Sequence, residues 1–176
     1  MARGRAAALR GVFGSMLDDV LKVVDTPIKR GTRRLEPNAA YTTGKRGTTA
    51  KYHYSTDAQG RIRSAHARPL QLHRGNRASH TNDPMGKRPG DHAGHLIADL
   101  FGGSQRHDNI VAQLSSQNLG RYKSMENRWA RLLDQTPPAK IDVDIKVLYG
   151  PGDRPIGISV TEVVNGRRLK HPMFTN

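Results

Sequence analysis

Five apolar residues, Tyr122, Met125, Trp129, Leu132 and Leu133, fall at i, i+3, i+7, i+10 and i+11 and make one stripe along an α-helix. On both sides of that helix the period drops to two. Tyr52 and Tyr54 alternate with His53 and Ser55, Asp57-Ala58-Gln59-Gly60 reads as a turn, and Arg61-Ile62-Arg63-Ser64 starts a returning strand. This hairpin is expected at one edge of the sheet. Downstream, Pro137-Pro138 stops the helix, and Ile141, Val143, Ile145 and Val147 alternate with Asp142, Asp144 and Lys146. Ile156, Ile158 and Val160 continue the pattern, Asn165-Gly166 is a hairpin turn, and Arg167 to Phe174 is expected to return as a final strand. The class is therefore α+β with an antiparallel sheet.

The 176 residues fit one domain, expected at 37–176, preceded by an appendage at 1–36. In the appendage Val12/Phe13, Met16/Leu17, Val20/Leu21 and Val24 recur at helical spacing. An amphipathic helix is expected from Gly11 to Asp25, ended by Pro27 and the run Lys29-Arg30-Gly31-Thr32-Arg33-Arg34. It packs on the parent domain, docks on a delivery protein or lies on a membrane surface, the last opposed by Asp18, Asp19 and Asp25. Gly14 and Asp18-Asp19 interrupt its apolar section, so no signal peptide is expected. No run of 18 apolar residues occurs, which argues against a membrane span. Cysteine is absent, which excludes disulfides, thiolate metal sites and a thiol nucleophile. The net charge of +14 is concentrated in residues 37–90, with 10 basic and 2 acidic groups. A surface so basic suits a polyanion such as nucleic acid.

Between Asp91 and Trp129 lie the groups that metal-assisted phosphodiester chemistry needs. His95 follows the small pair Ala93-Gly94 and precedes the apolar Leu96-Ile97. Its imidazole suits proton abstraction from an attacking water. Asn118 is expected to open the helix, with Glu126 eight residues on, about 80° around the axis and roughly 12 Å along it. Mg²⁺ keeps several waters and takes few protein oxygens, so Asn118 suits a direct ligand and Glu126 an outer partner. Taken singly, Asn118 also suits a helix N-cap and Glu126 a surface carboxylate. Arg68 to Gly90 is poor in apolar residues and expected to be irregular; Arg74, Arg77, Lys87 and Arg88 are candidates for gripping phosphate, as are Arg121 and Lys123 beside Asn118. His66, His73 and His80 are expected to face solvent, and Asp108-Asn109 to make a turn.

The order D-x-x-G-H-L-I, an F-G-G turn, D-N-I-V-x-Q, then Q-N and K-x-M-E-N-x-W-A resembles the DNA/RNA non-specific endonucleases, ββα-metal (His-Me finger) enzymes, and most of all those at the C-termini of bacterial polymorphic toxins. The resemblance implies His95 as general base, Asn118 as the direct Mg²⁺ ligand (with Mn²⁺ as a substitute) and Glu126 as the carboxylate that orders water around the ion. It further implies cleavage of DNA, and of RNA, to 5′-phosphate and 3′-hydroxyl ends. As a setting it implies an antibacterial effector exported by a specialised system, active in the target cell and neutralised by an immunity protein, expected to be acidic. His92 stands where relatives usually carry Asp three positions before the catalytic His, with Asp91 one further back, and Ala93 stands where some carry Arg. A non-catalytic nucleic-acid-binding module and a ribonuclease-only toxin are the rival readings.

Overall fold

The computed structural model describes residues 2–14 and 21–176. The alternating segments build a sheet in the order β1 (Lys22–Val23), β2 (Ala39–Thr43), β3 (Tyr52–Thr56), β4 (Ile62–Ala67), β7 (Ile141–Tyr149) and β8 (Pro155–Val164). Strands β9 (Arg167–Lys170) and β10 (Phe174–Thr175) both pair with β8. Every pairing is antiparallel except the short β1–β2 contact. The β3–β4 hairpin is interior rather than an edge, because β2 covers one side of it and β7 the other. The expected last strand is cut in two at His171-Pro172-Met173, where Pro172 has no N–H to give a ladder.

Residues 22–35, placed by sequence in the appendage, belong to this body. Strand β1 pairs with Ala39 and Ala40, and Leu35 is 3% exposed within the main core. The first helix, α1 (Ala2–Phe13), starts earlier than its apolar spacing suggested; Leu9 packs with Leu21 and Ala40, and Phe13 against them. The remainder of the expected Gly11–Asp25 helix falls partly outside the described residues, and Lys22–Val23 is strand.

A separate two-stranded hairpin, β5 (Asp91–His95) and β6 (Ile110–Leu114), leads into the short helix α2 (Ser115–Leu119) and then α3 (Arg121–Asp134). The stripe expected on α3 is the buried one: Tyr122, Met125 and Trp129 are nearly inaccessible, with Leu132 and Leu133 packed at its end. Burying such side chains contributes about 1.5–3 kcal/mol each. Tyrosine hydroxyls then fix the connection between β5 and β6. Tyr41 donates to the Asp108 carbonyl (2.7 Å), Tyr122 to the Leu96 carbonyl (2.8 Å) and Tyr52 to the Phe101 carbonyl. Gly103 is required beneath this connection, because a Cβ there would lie 1.8 Å from the Ile97 carbonyl oxygen.

Asn109 joins these pieces. Its Oδ1 accepts from Tyr54 (2.8 Å) and from the Ile97 N–H (3.1 Å), while its Nδ2 donates to the carbonyls of Ile97 (2.9 Å) and Ser104 (2.7 Å). Asn109→Ala would strand four buried partners at once. Such loss costs about 1–3 kcal/mol per group before relaxation, so destabilisation of at least about 3 kcal/mol is expected. Urea unfolding monitored by Trp129 fluorescence measures it.

Candidate active site

His95 is the last residue of β5 and pairs with Ile110. Gly94 before it is covered by Gln113, whose Oε1 would lie 2.1 Å from an added Cβ, which explains the small residue there. The His95 Nε2 atom is buried and has no hydrogen-bond partner among the described residues. His80 meets the ring edge-on, with centroids 5.0 Å apart at 62°. Burial above all, with His80, Arg77 and Lys123 nearby, pulls the His95 pKa down to about 4, against the opposing charge of Asp99. The imidazole is therefore neutral at physiological pH, with a nitrogen open to a proton.

Asn118 does not open the long helix. It sits on α2, and the chain breaks at Gly120 (φ −95°, ψ −113°) before α3 begins. Asn118 and Glu126 thus share no helix axis, and the spacing expected for one continuous helix does not apply. Asn118 Nδ2 lies 3.2 Å from His92 Nδ1. With the amide nitrogen engaged there, the amide oxygen is turned away from His92. Glu126 is 7% exposed on α3; burial raises its pKa to about 7, with Lys123 Nζ 3.7 Å away pulling the other way.

These side chains line one cleft of about 580 Å³, together with Arg77, His80, Lys87, His92, Asp99 and Lys123. His95, Asn118 and Glu126 are therefore brought together, and so are three of the six candidate phosphate contacts. The other three do not line the cleft. Arg74 is ion-paired with Asp134. Arg121 reaches the Pro172 and Met173 carbonyls and covers the Phe174 ring. Arg88 engages the Asp91 carboxylate through its backbone N–H and does not line the cleft. His66 also departs from the expected solvent position, since its Nδ1 meets Asp144 Oδ1 at 2.6 Å, and His73 and His80 face the cleft. Nothing in residue spacing pointed to His80, because it lies on the irregular loop at 68–90.

Asp91 does not stand in for the carboxylate missing at His92. Arg154 grips both of its oxygens at 2.7 and 2.8 Å and holds its pKa below the usual range. Among the described residues no three His, Cys, Asp or Glu side chains gather as a metal cage. A hard cation keeps its waters and takes few protein oxygens, and the Asn118 amide oxygen could offer one such ligand. Asp99 supplies a further negative charge: its Oδ2 pairs with Lys45 at 2.8 Å while its Oδ1 is buried without a partner among the described residues.

A family model described as DNA/RNA non-specific endonuclease matches residues 37–165. The type VII secretion system protein EssD of Staphylococcus aureus (strain USA300) is 34% identical over 145 residues, which is 77% of this chain. The chain spans only 23% of that protein's length. Among solved structures, NucA from Streptococcus agalactiae with no metal bound superposes with a TM-score of 0.54 at 15% identity over 74% of each chain. The Sda1 nuclease with bound zinc ion gives a TM-score of 0.54 at 16% identity, covering 84% of this chain and 88% of its own. These last two likenesses concern the fold.

The raised Glu126 pKa has a consequence for stability. The folded chain keeps a proton that the unfolded chain releases near 4.5, so folding loses stability as pH climbs from there through about 7. Glu126→Gln removes that loss. In EDTA the variant should match the parent at pH 4 and exceed it at pH 8 by about 2–3 kcal/mol, read from paired denaturation curves.

Proposed function

The chain belongs to the DNA/RNA non-specific endonuclease family, and from that premise we propose that it hydrolyses phosphodiester bonds of DNA, and of RNA, without sequence preference and with Mg²⁺ as its cation. The observation that carries the reading is His95, which has a buried, unpartnered Nε2 and lines the cleft that Asn118 also lines. His95 takes a proton from the attacking water as that water's oxygen bonds to phosphorus. A scissile phosphate beside the ring adds negative charge and raises the imidazole's pKa towards the operating pH, which strengthens it as a base. Asn118 holds the cation through its amide oxygen, and His92 keeps that amide turned. Glu126 orders water around the ion, and Arg77, Lys87 and Lys123 hold flanking phosphates. When bound, the cation would offset the negative charge that builds on the phosphate and on the 3′ oxygen, which leaves phosphorus as the water's oxygen bonds and takes a proton from solvent to become the 3′-hydroxyl.

The likeness to a type VII secretion system protein supports a setting. We propose a bacterial effector toxin, exported by a specialised secretion system and active in the target cell, with an acidic immunity protein that covers the basic cleft. The rival readings give other results: a binding module leaves all nucleic acid whole, and a ribonuclease-only toxin leaves duplex DNA whole.

Plasmid DNA and structured RNA, each incubated with protein and Mg²⁺, should both be degraded, and EDTA should stop the reaction. His95→Ala should lower the rate by about 10²–10⁴-fold, the usual contribution of a general base. Metal binding tests His92 separately. Outer partners of a metal ligand contribute about 10–100-fold in affinity, so His92→Ala should weaken Mn²⁺ binding within that range, by paramagnetic resonance titration. His92→Asn, whose side-chain oxygen replaces Nδ1 as acceptor, should retain it.

A further inference from the structure

Outside the cleft, the largest unexplained feature is the basic turn at 29–34. It is a built turn, held at its base by the Ile28–Leu35 bridge. The Lys29 N–H donates to the Arg34 carbonyl (2.9 Å), and both the N–H (3.0 Å) and the Oγ1 (2.9 Å) of Thr32 donate to the Lys29 carbonyl. Gly31 takes φ +73°, where a side chain would be strained. Lys29, Arg30, Arg33 and Arg34 all project into solvent from this frame.

Two of the four are committed. Arg34 pairs with both oxygens of Asp153 at 3.1 Å, and Arg33 pairs with Asp83 at 3.4 Å. These bonds tie the turn to the β7–β8 loop and to the loop before β5, and they occupy Asp153 and Asp83. Lys29 and Arg30 are left without a salt bridge among the described residues, and so is exposed Arg106, which lines the same open concavity. Like charges gathered within about one Debye length, roughly 10 Å at 0.1 M salt, repel each other. A polyanion laid across them relieves that repulsion and releases its own counterions.

The concavity is joined to the cleft. Asp83, which holds Arg33, is flanked in the same loop by Asn82 and Lys87, both cleft-lining residues. The Thr81 N–H donates to the Gln105 carbonyl (2.9 Å), which brings the residue before Arg106 against that loop. One short loop therefore has the cleft on one side and the basic concavity on the other. We propose that Lys29, Arg30 and Arg106 form a second contact for the polynucleotide backbone, receiving the strand as it leaves the cleft past Lys87. An acidic protein would also be attracted by these cations, but continuity with the cleft favours the polymer that the cleft is built to hold. The proposal rests on reading the cleft as the nuclease site.

The triple variant Lys29→Ala/Arg30→Ala/Arg106→Ala tests it against a duplex of about 30 base pairs and a single-stranded hexanucleotide. Binding is measured in EDTA across a salt series, after circular dichroism has shown the parent fold. Each phosphate contact contributes about 0.9 to the slope of log K against log salt, so the duplex slope should fall by about 2–3 and its affinity by about tenfold or more at 0.1 M salt. Affinity for the hexanucleotide, and its Mg²⁺-dependent cleavage, should stay within about twofold. An unchanged duplex slope overturns the proposal and leaves the acidic protein as the partner. Equal losses for duplex and hexanucleotide also overturn it, by placing the three cations in the cleft itself. If the parent protein fails to cleave either substrate, the nuclease reading falls, while the salt slopes still decide whether this surface binds nucleic acid.

Discussion

The side-chain amide of Asn109 spends its full hydrogen-bonding capacity inside the fold, two bonds accepted at Oδ1 and two donated from Nδ2. Its partners belong to three separate pieces: Tyr54 on the large sheet, Ile97 just beyond His95, and Ser104 on the turn between β5 and β6. Because the amide is completely buried, each of those bonds is made in a low-dielectric setting where leaving one unmade is costly. The small hairpin makes no ladder with the large sheet. Its place is set by this amide and by the tyrosine hydroxyls that reach the same connection. The position of the imidazole is thus determined from below, by polar groups that never meet a substrate.

What could be read in the sequence followed from periodicity and local chemistry. The stripe on α3, the alternation of β7 and β8, and the Asn165-Gly166 turn with both residues at positive φ each follow from local rules. His95, Asn118 and Glu126 stood out through the order of the motif that carries them, and all three line one cleft, but the helical spacing used to relate Asn118 to Glu126 does not hold. What failed depended on tertiary contacts or on one backbone break. Gly120 ends α2 where pattern reading sees one helix. Arg74 and Arg121 are drawn off by Asp134 and by the C-terminal carbonyls, partners distant in sequence, and Arg88 does not line the cleft. His80 reaches the cleft from an irregular loop that no period describes.

Charge and burial divide the labour in the cleft. His95 is kept neutral by burial and by surrounding cations, and Glu126 is pushed towards neutrality by burial alone. Asp91 is held by the Arg154 guanidinium and the Arg88 N–H, and the neighbouring His92 contacts the Asn118 amide. The cleft is consequently poor in free negative charge and rich in lysine and arginine. A phosphodiester and a hydrated divalent cation arriving together suit that balance better than either alone.

On this reading the His95 imidazole and the Asn118 amide share one cation and one phosphate. Nuclear magnetic resonance of the chain during a titration with substoichiometric Mn²⁺ tests it most directly, because paramagnetic broadening falls off steeply with distance. The side-chain amide signals of Asn118 and the ring signals of His95 should broaden first, while those of His53 and His171 stay sharp. Broadening that begins at other carboxylates, with the Asn118 amide untouched, would contradict it.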